Sequence, residues 1–262
     1  MSYRLLSFSN PKILKGRDVY SEYLSAILHL SPINTKICPY QDIAGCKEAC
    51  LNTAGRGGII KKGETTNTIQ LARERKTRLF LEARDIFMTD LITDIMKFVR
   101  YCEKKGKLPC LRLNGTSDIQ WENIYVGNME QYSLDTTEMS NVEMFSKKQL
   151  GLECKNIFEM FPDVQFYDYT KIPTRKVEQY KNYHLTWSYS EASSKYAQYF
   201  DTIKYNIAVV FKGTMPIHYK GREVIDGDIS DIRFKDKPNV VVGLKAKGKA
   251  RQDMSGFVIH TA

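Results

Sequence analysis

Apolar residues along this chain gather into short runs set between polar connections, and the spacing within the runs changes along the sequence. The first run, Tyr23 to Leu30 (YLSAILHL), predicts a strand ending at Ser31-Pro32. Residues 31–62 then show no period and read as a cysteine- and glycine-rich loop. Two segments of helical spacing follow. Thr66 to Glu82 puts Ile69, Leu71, Ala72, Leu79 and Phe80 on a loosely apolar side. Ala83 to Lys105 is stronger, with Phe87, Leu91, Ile95 and Phe98 at i, i+4, i+8 and i+11. Gly106 stops it after a last turn carrying Lys104 and Lys105.

From residue 108 onward the runs shorten. They are LPCLRLN (108–114), VQFYDY (164–169), YHLTWS (183–188), YNIAVVF (205–211), REVID (222–226) and NVVVGL (239–244). Several are rich in β-branched and aromatic residues, as strands buried on both faces are. Helical stretches fit between some of them, Ser146 to Phe161 and Ser190 to Ile203 being the best candidates. Residues 1–20 read as an extended lead-in. The alternation predicts a single α/β domain over residues 1–262, built as a partial (β/α) barrel or as a mostly parallel sheet with helices.

In such folds ligands meet the C-terminal ends of the strands, and polar residues collect there in this chain. One cluster is Arg112, Asn114, Thr116, Ser117 and Asp118. Asp168, Tyr169, Thr170 and Lys171 form a second, and Ser188, Ser190 and Glu191 a third. Asp226, Asp228 and Asp231 follow the fifth run of this series, and Lys245, Lys247, Lys249 and Arg251 the last. The expected rim places Asp118, Asp168, Lys171, Asp226 and Asp228 as catalytic groups. Carboxylates on one rim, with Glu122 and Asp231, could hold Mg²⁺ for phosphodiester cleavage. Taken singly, an Asp at a strand end as readily caps a helix or closes an Asx turn, and Asp226-Gly-Asp228 is turn-like.

Cysteine usage sharpens the picture. Cys38, Cys46 and Cys50 fall within ICPYQDIAGCKEACLNTAGRGG, with seven and three residues between them. Three thiolates at short spacing can hold a metal or an iron–sulfur cluster with one position open. Zinc is the alternative, its fourth ligand drawn from Cys102, Cys110, Cys154 or a histidine; three packed thiols are the bland one. Gly55-Arg56-Gly57-Gly58 lacks a Walker pattern and reads as a turn. Six cysteines in 262 residues are too few for a disulfide scaffold, and no apolar run forms a signal peptide or a membrane span. A reducing, cytoplasmic setting without membrane contact is the expectation. Composition adds a net charge of +9, which suits an anionic small molecule or nucleic acid as partner, or simply a solubilising surface. Tyr167, Tyr169, Tyr183, Trp187 and Tyr189 could stack on a base, though core packing is the commoner fate of aromatics in strands. None of the four histidines is paired at metal spacing, and His184 sits inside a predicted strand.

The segments CPYQDIAGCKEACLNTAGRG, RLNGTSDIQWE, FYDYTK, NYHLTWSYSE, VIDGDISDIRF and VVVGLKAKGKARQDMSGFV resemble the phage "gene product 88" family over about residues 31–258. The resemblance implies a phage-encoded protein acting in the cytoplasm of a bacterial host. Some members carry the label of rolling-circle replication initiator, but the His-hydrophobe-His pattern of those nickases is absent. A thiolate trio after a first barrel strand is also similar to radical S-adenosylmethionine enzymes, whose usual spacing is three residues then two. That similarity implies a 4Fe–4S cluster on Cys38, Cys46 and Cys50, with S-adenosylmethionine on the fourth iron. By position it brings Asn114, Thr116 and Asp118 to the cofactor and Ser188, Ser190 and Glu191 to its ribose. Arg112, Lys245, Lys247 and Arg251 would hold an anionic substrate. The alternatives are a DNA-binding protein of phage replication with possible metal-dependent nuclease activity, and a zinc-stabilised interaction protein.

Overall fold

The computed structural model describes residues 4–8, 19–32, 34–50, 52, 54–128 and 152–262. Ten strands form one sheet. They are β1 (Leu6–Ser7), β2 (Tyr23–Leu28), β3 (Leu108–Arg112), β4 (Gln165–Thr170), β5 (Tyr183–Ser188), β6 (Asn206–Lys212), β7 (His218–Tyr219), β8 (Arg222–Asp226), β9 (Val241–Lys245) and β10 (Val258–His260). The order across the sheet is β1-β2-β3-β4-β5-β6-β9-β8-β7. From β2 through β8 every neighbouring pair is parallel, and the short edges β1 and β7 pair antiparallel. Of the two expected architectures, the mostly parallel sheet is the one observed.

Strands β2 to β6 sit side by side in chain order, so right-handed crossovers leave their connections on one side of the sheet. Among the described residues, only the first crossover is built from long helices, α1 (Thr68–Glu82) and α2 (Arg84–Lys104). Asn67 caps α1 by accepting from the Ile69 and Gln70 amides. The stripe Phe87, Leu91, Ile95 and Phe98 of α2 is buried against Leu24, Ala26 and Leu28 of β2 and Leu111 of β3. Asp94, fully buried on α2, accepts from the Leu5 and Leu6 amides and so fixes the edge strand β1.

Later crossovers are shorter than the periodicity suggests. Of the expected helix 146–161, residues 146–151 lie outside the described residues, and the rest is helical only at α3 (Ile157–Met160). The expected helix 190–203 reduces to α4 (Ser194–Ala197) and a 3-10 turn at Gln198–Asp201. Both are compact because aromatic side chains do the covering. Phe158 stacks on Tyr183, and Tyr196 and Phe200 pack over Trp187 and Tyr189. Of the extended lead-in at 1–20, residues 1–3 and 9–18 lie outside the described residues, and Leu6–Ser7 is strand.

The C-terminus supplies a feature that the hydrophobic pattern misses. β5 pairs with β6 only at residues 206–208, and β10 pairs with residues 210–212 of the same strand. β10 therefore occupies the place beside β6 that β5 vacates. Where the chain leaves β5, Ser190 Oγ donates to the Ala44 carbonyl and the Glu191 amide donates to the Gly256 carbonyl. The cysteine loop, the β5 exit and the C-terminal segment are thus bound together.

Candidate functional site

A cavity of about 130 Å³ opens where β3, β4 and β5 end. Cys38, Cys46 and Cys50 all line it, together with Arg112, residues 114–118, Lys171 and Ser188. Tyr40, Gln41, Tyr169, Thr170 and Phe257 complete its wall. The strand-end rule and the cysteine loop therefore lead to the same place.

The loop that carries the thiols is held from several sides. Its Ala44 and Gly45 carbonyls accept from Ser190 and Ser255. Gly45 has φ +63°, and a Cβ there would stand 2.5 Å from the Ala192 Cβ, so the close approach of loop and β5 exit requires glycine. Ala49 packs with Ala250, Phe257 and Val258. Burial pushes all three thiols above their ordinary range, and for Cys38 the neighbouring Asp118, Cys50 and Cys46 push the same way. Lys171 opposes the shift at Cys46, and Arg73 opposes it at Cys50. The Asn52 amide donates to the Cys50 sulfur at 3.4 Å. Among the described residues no three His, Cys, Asp or Glu side chains are grouped to hold a metal ion.

The loop after β3 presses against β2. A Cβ on Gly115 would meet the Leu28 carbonyl, Ile27 and His29, each at 2.6 Å. Asn114 is its organiser. Its Oδ1 accepts from Ser117, the Ile119 amide and Trp121 Nε1, while its Nδ2 donates to the Ile119 carbonyl. Thr116 donates to the Leu30 carbonyl. Both side chains are bonded within the chain, and both residues line the cavity, as does the rest of the loop at 115–118.

Two carboxylates expected to be catalytic are held by partners within the chain, and Asp118 also lines the cavity. Asp118 accepts from Thr170 Oγ1 and the Lys171 amide, and Arg175 stands 3.5 Å away. Asp168 accepts from the Asn114 amide at 2.7 Å and from the Tyr183 hydroxyl at 3.0 Å. It lies on the helix-covered side beneath the cavity rather than in it, and burial raises its carboxyl to about 7. Arg175, with no exposed side-chain surface, joins Asp118 to Glu122, which it meets at 2.7 Å. Lys171 does face the cavity. Its ammonium donates to the Tyr189 carbonyl and lies 4.5 Å from the Phe257 ring centre, and burial lowers it to about 8.

The remaining candidates lie elsewhere. Asp226 closes a turn by accepting from the Asp228 amide, and Asp228 accepts from the Lys245 amide and pairs with Lys247. These four residues tie β8 to β9 and do not line the cavity, because the turn-like Asp-Gly-Asp spacing does what such spacing usually does. Arg251 is exposed on a 3-10 turn at Gly248–Gln252. Ser190 anchors the cysteine loop, and Glu191 is turned to the β7–β8 hairpin, where Tyr219, Tyr189 and Lys220 hold it. Sequence reasoning missed Arg175, Gln41 and Phe257. Arg175 carries no local signal in TKIPTRK, since only the fold brings it to Asp118 and Glu122.

A family model described as Gene product 88 matches residues 4–261. No curated protein and no solved structure matches the chain. No described helix is long and apolar enough to cross a membrane.

Proposed function

We propose that this chain, which belongs to the phage gene product 88 family, is an enzyme that holds an iron–sulfur cluster on Cys38, Cys46 and Cys50 and binds S-adenosylmethionine beside it. The observation that carries the reading is the convergence of three thiols from one loop, after the first parallel strand, on the cavity that the next three strands also reach. A cluster places each thiolate on a different iron. It therefore needs three thiols on one cavity without gathering them around a single ion. When bound, cluster and cofactor supply one-electron radical chemistry, which is theirs and not the protein's.

The protein's part is positioning and charge. Lys171 beside Cys46 and Arg73 beside Cys50 favour the thiolate forms that a metal requires. The loop at residues 114–118, held close to β2 by Gly115, gives a ligand one polar wall. Ser188 offers a hydroxyl on the opposite wall, where a ribose would lie. Phe257 and Tyr40 close the cavity with aromatic surface and exclude water.

Anaerobic reconstitution with iron and sulfide, followed by absorbance and metal analysis, tests the reading. The expected result is a brown protein whose colour is lost in Cys38→Ser, Cys46→Ser and Cys50→Ser. A colourless, iron-free protein after reconstitution overturns it, and stoichiometric zinc in its place moves the site to a zinc-stabilised fold.

A second reading, nucleic acid as the partner, rests on Lys249 and Arg251. Both are exposed on the turn whose Ala250 packs against the cavity residue Phe257. Filter binding to single-stranded DNA should then weaken steeply with salt. Absence of binding at low salt dismisses it.

A further inference from the structure

The face of the sheet opposite the helices carries a second group of polar residues. Strand pairing sets Tyr167 beside His184 and Tyr169 beside Thr186. Arg112 lies one position beyond the last β3–β4 pair, next to Tyr167. The connection between β8 and β9 covers this face, with Ile232 and Phe234 packed against Cys110, Tyr167 and Tyr23. The same connection brings Asp231 to Arg112, at 2.9 Å, and contributes Arg233. Arg112, Tyr167, Thr186 and Arg233 are buried.

Among the described residues, Arg112 Nε, Tyr167 Oη, Tyr169 Oη, Thr186 Oγ1, His184 Nε2, and Arg233 Nε and Nη1 nevertheless find no hydrogen-bond partner, and neither does Asp236 Oδ2. Native interiors leave few such groups, and each calls for an explanation. Together on one face of one sheet they form a cluster, and it is dominated by donors: the guanidinium N–H groups of two arginines and three hydroxyls. Two of the protein's own acceptors are spent on other atoms, and a third, Asp236, forms an ion pair without a hydrogen bond. Asp231 accepts from Arg112 Nη1, the Ser230 carbonyl accepts from Arg233 Nη2, and Asp236 stands 3.3 Å from Arg233 Nη1. The Nε edges of both arginines are left over. Arg112 and Tyr169 also line the thiol cavity, so the orphaned donors begin at its floor.

We propose that this second face is a binding subsite for the oxyanion end of a ligand, a carboxylate or phosphate group, taken up by Arg112, Tyr169, Thr186 and Arg233. Guanidinium and hydroxyl donors bind such oxygens through short, charge-assisted hydrogen bonds. Burial keeps His184 uncharged, at about 4, and so leaves its ring free to donate or accept. The subsite gives the proposed enzyme a substrate class, but the interaction itself needs no cluster, because its donors are separate from the thiols.

The test is titration calorimetry on the full chain in iron-free form, with sodium phosphate and sodium acetate as separate probes. Saturable binding of at least one is expected, and which one binds distinguishes a phosphate-bearing from a carboxylate-bearing ligand. Tyr169→Phe and Thr186→Val, which remove only a hydroxyl or replace it with a methyl group, should each weaken binding about tenfold, the change that about 1.4 kcal/mol produces. Lys104→Ala, at the exposed end of α2, should bind as the wild type does. Failure of both probes, or unchanged binding in both hydroxyl variants, overturns the proposal and leaves the orphaned atoms to water. The colour of reconstituted protein plays no part in this readout, so failure of the cluster reading and failure of the subsite are told apart.

Discussion

Two buried polar groups lie on opposite sides of the strand ends, and they are built differently. On the helix-covered side, Asp168, Asn114, Asp118, Arg175, Glu122 and Tyr183 are joined to one another or to backbone at hydrogen-bond distance. On the other side, Arg112, Tyr169, Thr186, His184 and Arg233 each keep an atom with no hydrogen-bond partner among the described residues. Buried polar networks stabilise only when complete. The complete one has the properties of a scaffold: it fixes the loop after β3 and the end of β4, and hence the cavity walls. The incomplete one is the proposed subsite, its missing partners not being found among the described residues. The expected catalytic residues Asp118 and Asp168 fall in the first group, while Thr186 and Arg233, absent from that expectation, fall in the second.

The comparison can be broken most forcefully at Arg175. Arg175→Met leaves Asp118 and Glu122 buried without their guanidinium, and should cost about 3–5 kcal/mol in urea unfolding. A loss below about 1 kcal/mol would show that the network is not a scaffold. Asn114→Ala strands the Ile119 amide and Trp121 Nε1, and the expected loss is about 2 kcal/mol. Because Asn114 shapes the cavity wall, the same variant should also lower cluster retention after anaerobic reconstitution.

A pH series sharpens the contrast. Burial raises Asp168 from 3.8 to about 7. Between those values the unfolded chain has released the proton that the folded chain keeps, so stability falls as pH rises through the window. The slope is at most about 1.4 kcal/mol per pH unit. Urea midpoints of the wild type and Asp168→Asn should therefore diverge between pH 4 and 7, with the flatter profile in the variant. Parallel profiles would place the titration elsewhere.

The smallest effect is expected on the incomplete side, and it has the opposite sign. Thr186→Val removes an orphaned hydroxyl and keeps the shape, so the ligand-free protein should gain about 1 kcal/mol. A loss of that size would mean that the hydroxyl has a partner within the chain.

Much of the scaffold was legible in the sequence. The runs at 183–188 and 222–226 are strands over those same residues, and the Phe87-Leu91-Ile95-Phe98 stripe is the buried face of α2. These succeed because burial on one face imposes a period that neighbouring residues record. The short helices α3 and α4 were overestimated, because a few large aromatics cover the sheet there and the chain needs only one turn to place them. The edge strands β1, β7 and β10, two or three residues each, leave no period to read.

What the sequence by itself determined is the set of pieces: a parallel-strand rhythm, polar clusters at the strand ends, and three thiols in one loop. What only the tertiary structure decided is which polar side chains are spent and which are left over. Asn114 and Asp118 line the cavity and are bonded within the chain, while Thr186 and Arg233 look like ordinary strand and turn residues and each keep an atom with no hydrogen-bond partner among the described residues. The reason is that hydrogen-bond satisfaction is a property of neighbours across the sheet, up to 119 residues apart for Arg112 and Asp231, and no local pattern encodes it.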